Sequence, residues 1–328
     1  MTDFLLLEKI HGMIAGKPGP RLLYKKGIYL RGFFRPYMPM TEYTRAEVFD
    51  DIEKTVPVTV RFSSMLGDEG TADTRRNIKG MAVKFHGNND DHDIMSQNIP
   101  VFFINREKIL RELIGALTCR TSFDRINSSR LWQLAVDHPE AVNCILRLYS
   151  CEGITDSFIR SSWYCVFTYI WKGNNEDNED KVMVRYRWVP VSGAEKEYYD
   201  QSERKMSRIS AEFMAGFDPD TAHEELETAV KECRFPAFEL QIQMADHKFI
   251  SHPDYTRGTL CWNEKICRPV PVGVMKLTEV LGWSGKECDR VCFAPGNVMD
   301  GIELYRDDFS ELIDYVCRIS AVERGTAE

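Results

Sequence analysis

Val56, Val58, Val60 and Phe62 alternate with Pro57, Thr59 and Arg61, the two-residue period of a strand with one buried face. Arg61 is therefore expected on the face opposite Phe62, beside Thr59. Two more strands are predicted over Met81–Phe85 and Pro100–Ile104, set apart by turns containing Gly, Asn and Asp. Three short strands with long polar loops imply a meander or a barrel wall. Upstream, Tyr29–Pro36 is a further strand candidate. Residues 1–20 open on an apolar helical segment, Phe4–Ile14, that breaks at Gly16-Lys17-Pro18-Gly19. Without a Gly-Lys-Ser/Thr ending this break is punctuation and not a phosphate loop.

After Ile104 the period changes. Ile109, Leu110, Leu113 and Leu117 fall at helical spacing, as do Leu131, Leu134 and Ala135 and, beyond Pro139, Val142, Ile145, Leu146 and Tyr149. Strands are predicted over Trp163–Trp171 and Val182–Val189, joined by the acidic turn GNNEDNED. Leu226, Ala229, Val230 and Cys233 predict a short amphipathic helix, and Phe238, Leu240, Ile242 and Met244 another strand. In the last helix Phe309, Leu312, Ile313, Val316 and Cys317 form one apolar stripe, while Tyr315 lies well off it. No internal repeat appears. The pattern predicts an α+β fold, an antiparallel β-barrel with attached helices.

The chain of 328 residues, 43% hydrophobic, is long enough for a sizeable core. Its net charge of −8 and pI near 5.5 make nucleic acid a poor partner. The ten cysteines are scattered, and the nearest pair, Cys288 and Cys292, lacks the second pair of a zinc ribbon. With no signal peptide or membrane-spanning run evident, the thiols are expected to be reduced in a cytoplasm.

The segment RFSSMLGDEGTADTRRNIKGMAVKFHG (61–87), followed by QNIPVFFI (97–104), resembles the heme-catalase family, and the likeness runs without gaps from Arg21 to Ile104. Weaker matches follow at FPAFELQIQM (235–244), at Trp262 with PVPVGVMKL (269–277), and at FAPGNVMDGIE (293–303). The family's extended amino-terminal arm and its later nucleotide-site segment have no counterpart, so the likeness is to short, minimal catalase-like proteins. It implies one catalase-like heme domain over 21–328, after the helical segment that the apolar pattern predicts over 1–20. It also implies heme b as cofactor, with Arg21, Arg61 and Arg324 at the positions that hold its propionates, where guanidinium groups pair with carboxylates. Sixteen residues beyond Gly301, the family's iron-ligand position is occupied by Cys317 and that of its partner arginine by Ile313.

The resemblance also sets the distal residues. Tyr24 stands where the family has a catalytic histidine, Gln97 where it has an asparagine, and Ser63 is retained. A phenol near pKa 10 cannot take a proton at neutral pH as an imidazole can. Rapid disproportionation of hydrogen peroxide is therefore not expected. A thiol is deprotonated on coordination without help from a neighbouring cation, so cysteine at the ligand position fits the loss of the arginine. His86, His92, His247 and His252 are expected at the surface. The resulting expectation is a heme-thiolate enzyme acting on a small peroxide or a lipid-like organic hydroperoxide, with no nucleic-acid partner, no transmembrane segment and a homo-oligomer possible. Two alternatives stand beside it: a weak, tyrosine-ligated catalase or peroxidase, and a scaffold without turnover.

Overall fold

The computed structural model describes residues 21, 23–67, 69–118, 127–173, 181–192, 197–198, 206–285 and 288–325. The expected helix over 1–20 and most of the GNNEDNED turn lie outside these. The strands are β1 (Gly27–Pro36), β2 (Val56–Ser64), β3 (Lys79–His86), β4 (Asp91–Gln97), β5 (Trp163–Tyr164), β6 (Tyr169–Lys172), β7 (Lys181–Ser192), β8 (Glu197–Tyr198), β9 (Ala237–Asp246), β10 (Val270–Trp283) and β11 (Ile302–Leu304). The longer helices are α1 (Glu107–Thr118), α2 (Ser128–Asp137), α3 (Val142–Tyr149), α4 (Arg208–Phe217), α5 (Thr221–Lys231) and α6 (Asp308–Glu323).

Strands pair antiparallel in the order β9, β10, β1, β2, β3, β4, β5, β7, and β7 pairs back onto β9 to close the barrel. Closure leaves these strands without open edges. The barrel interior is aromatic: Phe34, Phe62, Phe85, Trp163, Trp188 and Phe238 are fully buried. Their rings meet at centroid distances such as 5.2 Å for Phe34 with Phe85 and 5.3 Å for Phe62 with Trp163. The interior is thus packed with side chains, and whatever the protein binds must lie elsewhere.

Alternation decides where. Phe62 points inward, and one residue away Arg61 points outward, as its strand period requires. Tyr29, Arg61, Ala82 and Met95 are cross-strand neighbours, and so are Gly27, Ser63, Gly80 and Gln97. These two rows form the outer face of the β1–β4 wall. Against that face lie α1 and α6.

Two predicted elements and one residue placement are corrected. Pro100–Ile104 is not a strand; the third strand of the meander is β4, and residues 98–105 run irregularly after it. Pro100 has no N–H to give to a ladder, the Gln97 side chain takes the carbonyls of Ile99 and Val101, and the Phe102 N–H goes to Gly258 O. The Trp163–Trp171 strand divides into β5 and β6, which both pair with β7. The break turns Val166 and Phe167 toward α6. His92 is not at the surface: it is buried inside the barrel, 5.9 Å from the Phe85 ring, and burial pushes its pKa down to about 3.

Candidate active site

A cavity separates the outer face of the β1–β4 wall from the two helices. α1 contributes Leu110, Leu113, Ile114 and Leu117, while α6 contributes Phe309, Ile313, Val316, Cys317 and Ser320. The space between the wall atoms is about 1350 Å³, its open mouth included. Six of the seven residues expected from the sequence line this one cavity directly: Arg21, Arg61, Tyr24, Ser63 and Gln97 and, facing them from α6, Cys317. Arg324 caps the C-terminus of α6 two turns beyond Cys317, where its Nη1 donates to the carbonyl of the cavity-lining Ser320 at 2.7 Å.

The helix presents Cys317 because of how it starts. Asp307 and Ser310 form a reciprocal capping box at the N-terminus of α6, and from that start positions 309, 313, 316, 317 and 320 share the cavity face. Tyr315 is not among the cavity-lining residues. Burial pushes the Cys317 thiol up to about 12, helped by the neighbouring Cys292 and opposed by Arg21. Cys317 is thus a neutral thiol until something takes its proton.

Tyr24 has a backbone φ of +58°, uncommon for a bulky residue. Its N–H donates to Met65 O at 2.9 Å and its carbonyl accepts from Arg61 Nη2 at 2.6 Å, which together hold the strained turn. Its ring lies over Gly80, where an added Cβ would come within 2.9 Å of Tyr24 Cε1 and 3.3 Å of Ser63 Oγ. Burial pushes the phenol pKa upward, so Tyr24 can give a hydrogen bond but cannot serve as a base at neutral pH. Gln97 Nε2 donates to Ile99 O at 2.9 Å and Val101 O at 2.8 Å.

At the other end the three arginines converge on Tyr29 and Asp289. The Tyr29 hydroxyl donates to Asp289 Oδ1 at 2.7 Å, Arg21 Nη2 donates to Tyr29 Oη at 3.3 Å, and the Arg61 guanidinium stands 5.2 Å over the Tyr29 ring. Arg324 Nε donates to Asp289 O at 2.9 Å. Arg21 Nε, Arg61 Nε and Arg324 Nη2 are buried with no hydrogen-bond partner among the described residues. Burial and the charge of Arg21 lower both Arg61 and Arg324 to about 10. Among the described residues three guanidinium groups surround the single Asp289 carboxylate, which Arg21 meets at 3.7 Å, so positive charge is in excess here and the groups could pair with a carboxylate guest.

A sequence profile described as Catalase matches residues 1–311. The chain belongs to the catalase family. It is 29% identical over 313 residues to Catalase-2 of Bacillus subtilis, covering 94% of this chain and 44% of that one. It is 26% identical over 308 residues to the catalase of Drosophila melanogaster, covering 92% and 58%. A solved structure described as a bacterial catalase superposes with a TM-score of 0.83 at 21% identity, covering 98% of this chain and 60% of that one. The chain therefore spans about half the length of the catalase relatives it matches. The superposition agrees with the barrel with attached helices expected from the sequence. Among the described residues no helix is long and apolar enough to cross a membrane.

Sequence reasoning missed Tyr29 and Asp289, which organise the arginines. Tyr29 was within reach, since it is the cross-strand neighbour of Arg61. Asp289 carried no local signal. The helical spacing of Leu110, Leu113 and Leu117 gave no sign that these buried side chains also wall the cavity.

Proposed function

We propose that this chain is a heme enzyme that acts on an organic hydroperoxide, or uses peroxide to oxidise an organic substrate, with Cys317 as the axial ligand and little true catalase activity. The observation that carries this reading is the arginine cluster. Among the described residues the excess of positive charge and three buried N–H groups without a hydrogen bond suit the two propionates of heme b, and the wide apolar cavity beside them suits a flat macrocycle. Heme bound here supplies an iron centre able to break an oxygen–oxygen bond, and an axial thiolate adds electron density to it.

The protein's own residues divide the remaining work. Arg21, Arg61 and Arg324 hold the propionates. Cys317 would give up its proton on coordinating the iron, as thiols do on meeting a metal, and the aliphatic Ile313 supplies no charge of its own to stabilise a phenolate. On the opposite wall, the Tyr24 and Ser63 hydroxyls can donate to a peroxide oxygen, and Gln97 can accept. Among the described residues no group there is placed to carry a proton from one peroxide oxygen to the other as a base does, which makes hydrogen peroxide a poor substrate in this reading. The leucines of α1 and Met95 exclude water and pack against an apolar substituent.

The test is the absorption spectrum and peroxide consumption of protein purified with heme supplied. The expected result is a b-type heme spectrum, slow removal of hydrogen peroxide and faster removal of an aliphatic hydroperoxide. Protein that takes up no heme overturns the reading. A phenolate-type spectrum with rapid hydrogen peroxide removal would favour the tyrosine-ligated alternative.

A further inference from the structure

Gln97 is locked as an acceptor. Both partners of its side chain, Ile99 O and Val101 O, are carbonyls at 2.9 and 2.8 Å, so the amide must turn its NH2 to them. Both hydrogens are then spent, and what Gln97 offers the cavity it lines is Oε1. The residue is 5% exposed and its backbone is pinned by pairing with Gly80 and Tyr164 on either side, so the amide cannot swing over to donate. Across the wall the Ser63 hydroxyl and the Tyr24 phenol can each give a hydrogen bond. An aliphatic surface from Leu110, Leu113 and Leu117 completes the space.

We infer that Gln97 makes this site selective for a guest carrying a donatable O–H on an aliphatic chain, an un-ionised hydroperoxide or alcohol, over the corresponding ether or peroxide anion. The inference rests on the reading of this cavity as the substrate site. An ether leaves Oε1 buried without a donor, and an anion sets negative charge against it. A buried acceptor left unsatisfied costs the full desolvation of the group, and sites built to pair a hydroxyl reject analogues lacking it.

The experiment is calorimetric titration of the purified protein, its heme content recorded separately, with two isomers, 1-hexanol and 1-methoxypentane. Wild type is expected to bind the alcohol at least about tenfold more tightly. In Gln97→Met the ratio should fall to within about threefold. That variant leaves Ile99 O and Val101 O without donors and can fail to fold, so Tyr24→Phe and Ser63→Ala form a second arm. Both keep Gln97, and both should keep the preference. Equal binding of the isomers by wild type, a ratio that survives in folded Gln97→Met, or one that vanishes in either hydroxyl variant overturns the inference. Calorimetry needs no turnover. A preference for the alcohol in protein that takes up no heme would sink the heme reading and leave this one standing, and equal binding in heme-loaded protein would do the reverse.

Discussion

Tyr24 shows what a single side chain can change. It occupies a turn held from both sides, by Met65 O and Arg61 Nη2, and presents a phenol where a base would make the pocket a catalase. Tyr24→His is expected to raise hydrogen peroxide disproportionation by about 10²–10⁴-fold, the usual contribution of a general acid–base group, measured as oxygen evolution. No gain would show that the pocket lacks more than the base. The same guanidinium that holds this turn belongs to the arginine cradle. Arg61→Ala combined with Arg324→Ala is therefore expected to speed heme transfer to an apoprotein acceptor several-fold, and an unchanged rate would remove the propionate assignment. At this scale the sequence was partly legible. The outward face of Arg61 follows from strand alternation and the inward face of Cys317 from the stripe of α6, while Ser63 and the ligand position of Cys317 came from the family resemblance. The left-handed backbone of Tyr24 and the acceptor-only state of Gln97 were not, because each depends on carbonyls brought in by the fold.

Elements place these residues by close approach. At Gly80 in β3 an added methyl would lie 2.9 Å from the Tyr24 ring and 3.3 Å from Ser63 Oγ, so Gly80→Ala must push the ring aside. About 1–3 kcal/mol of stability should be lost, seen as a lower urea midpoint, with the alcohol affinity changing alongside. A second contact fastens α5 to the barrel end. Asp73, in the loop before β3, accepts the backbone N–H groups of Ala222 and His223 at 3.1 Å each and the His223 ring at 2.7 Å, and it pairs with Lys26 at 2.9 Å. Burial alone would raise its carboxyl pKa, but the His223 hydrogen bond, with the charges of His223, Lys79 and Lys26, outweighs burial and holds it well below the ordinary value. A depressed carboxyl contributes stability above its unfolded pKa of about 4 and loses it as pH falls through the folded value. The melting temperature should therefore drop as pH goes below about 4, and Asp73→Asn should be about 3–5 kcal/mol less stable at pH 7 with that acid-dependent part absent. A pH profile unchanged by the substitution would contradict this. β4 was missed in the sequence because Asp91–Gln97 carries His, Asp, Ser and Gln where apolar residues would signal a strand. Some of those polar groups are buried with specific partners, such as Asp93 with Lys84 at 2.8 Å and Gln97 with the carbonyls of Ile99 and Val101, and periodicity cannot register them.

Over the whole molecule, the site exists only because distant parts of the chain meet outside a filled barrel. Arg21 and Tyr24 lead into β1, Gln97 ends β4, α1 follows, and Cys317 and Arg324 come from the last helix, some two hundred residues further on. The sequence made the barrel and its family legible through ordered motifs. It could not reveal that β7 closes on β9, or that the cavity lies outside the wall, since both follow from pairing between strands far apart in the chain. The proposed function requires this assembly to set Cys317, and not Tyr315, on the iron. The direct measurement is the absorption spectrum of the reduced, carbon monoxide-bound protein. Thiolate ligation moves its Soret band strongly to the red, so wild type should show that shift, Cys317→Ser should lose it, and Tyr315→Phe should keep it. An unshifted, phenolate-type spectrum in wild type that is lost in Tyr315→Phe would contradict the account.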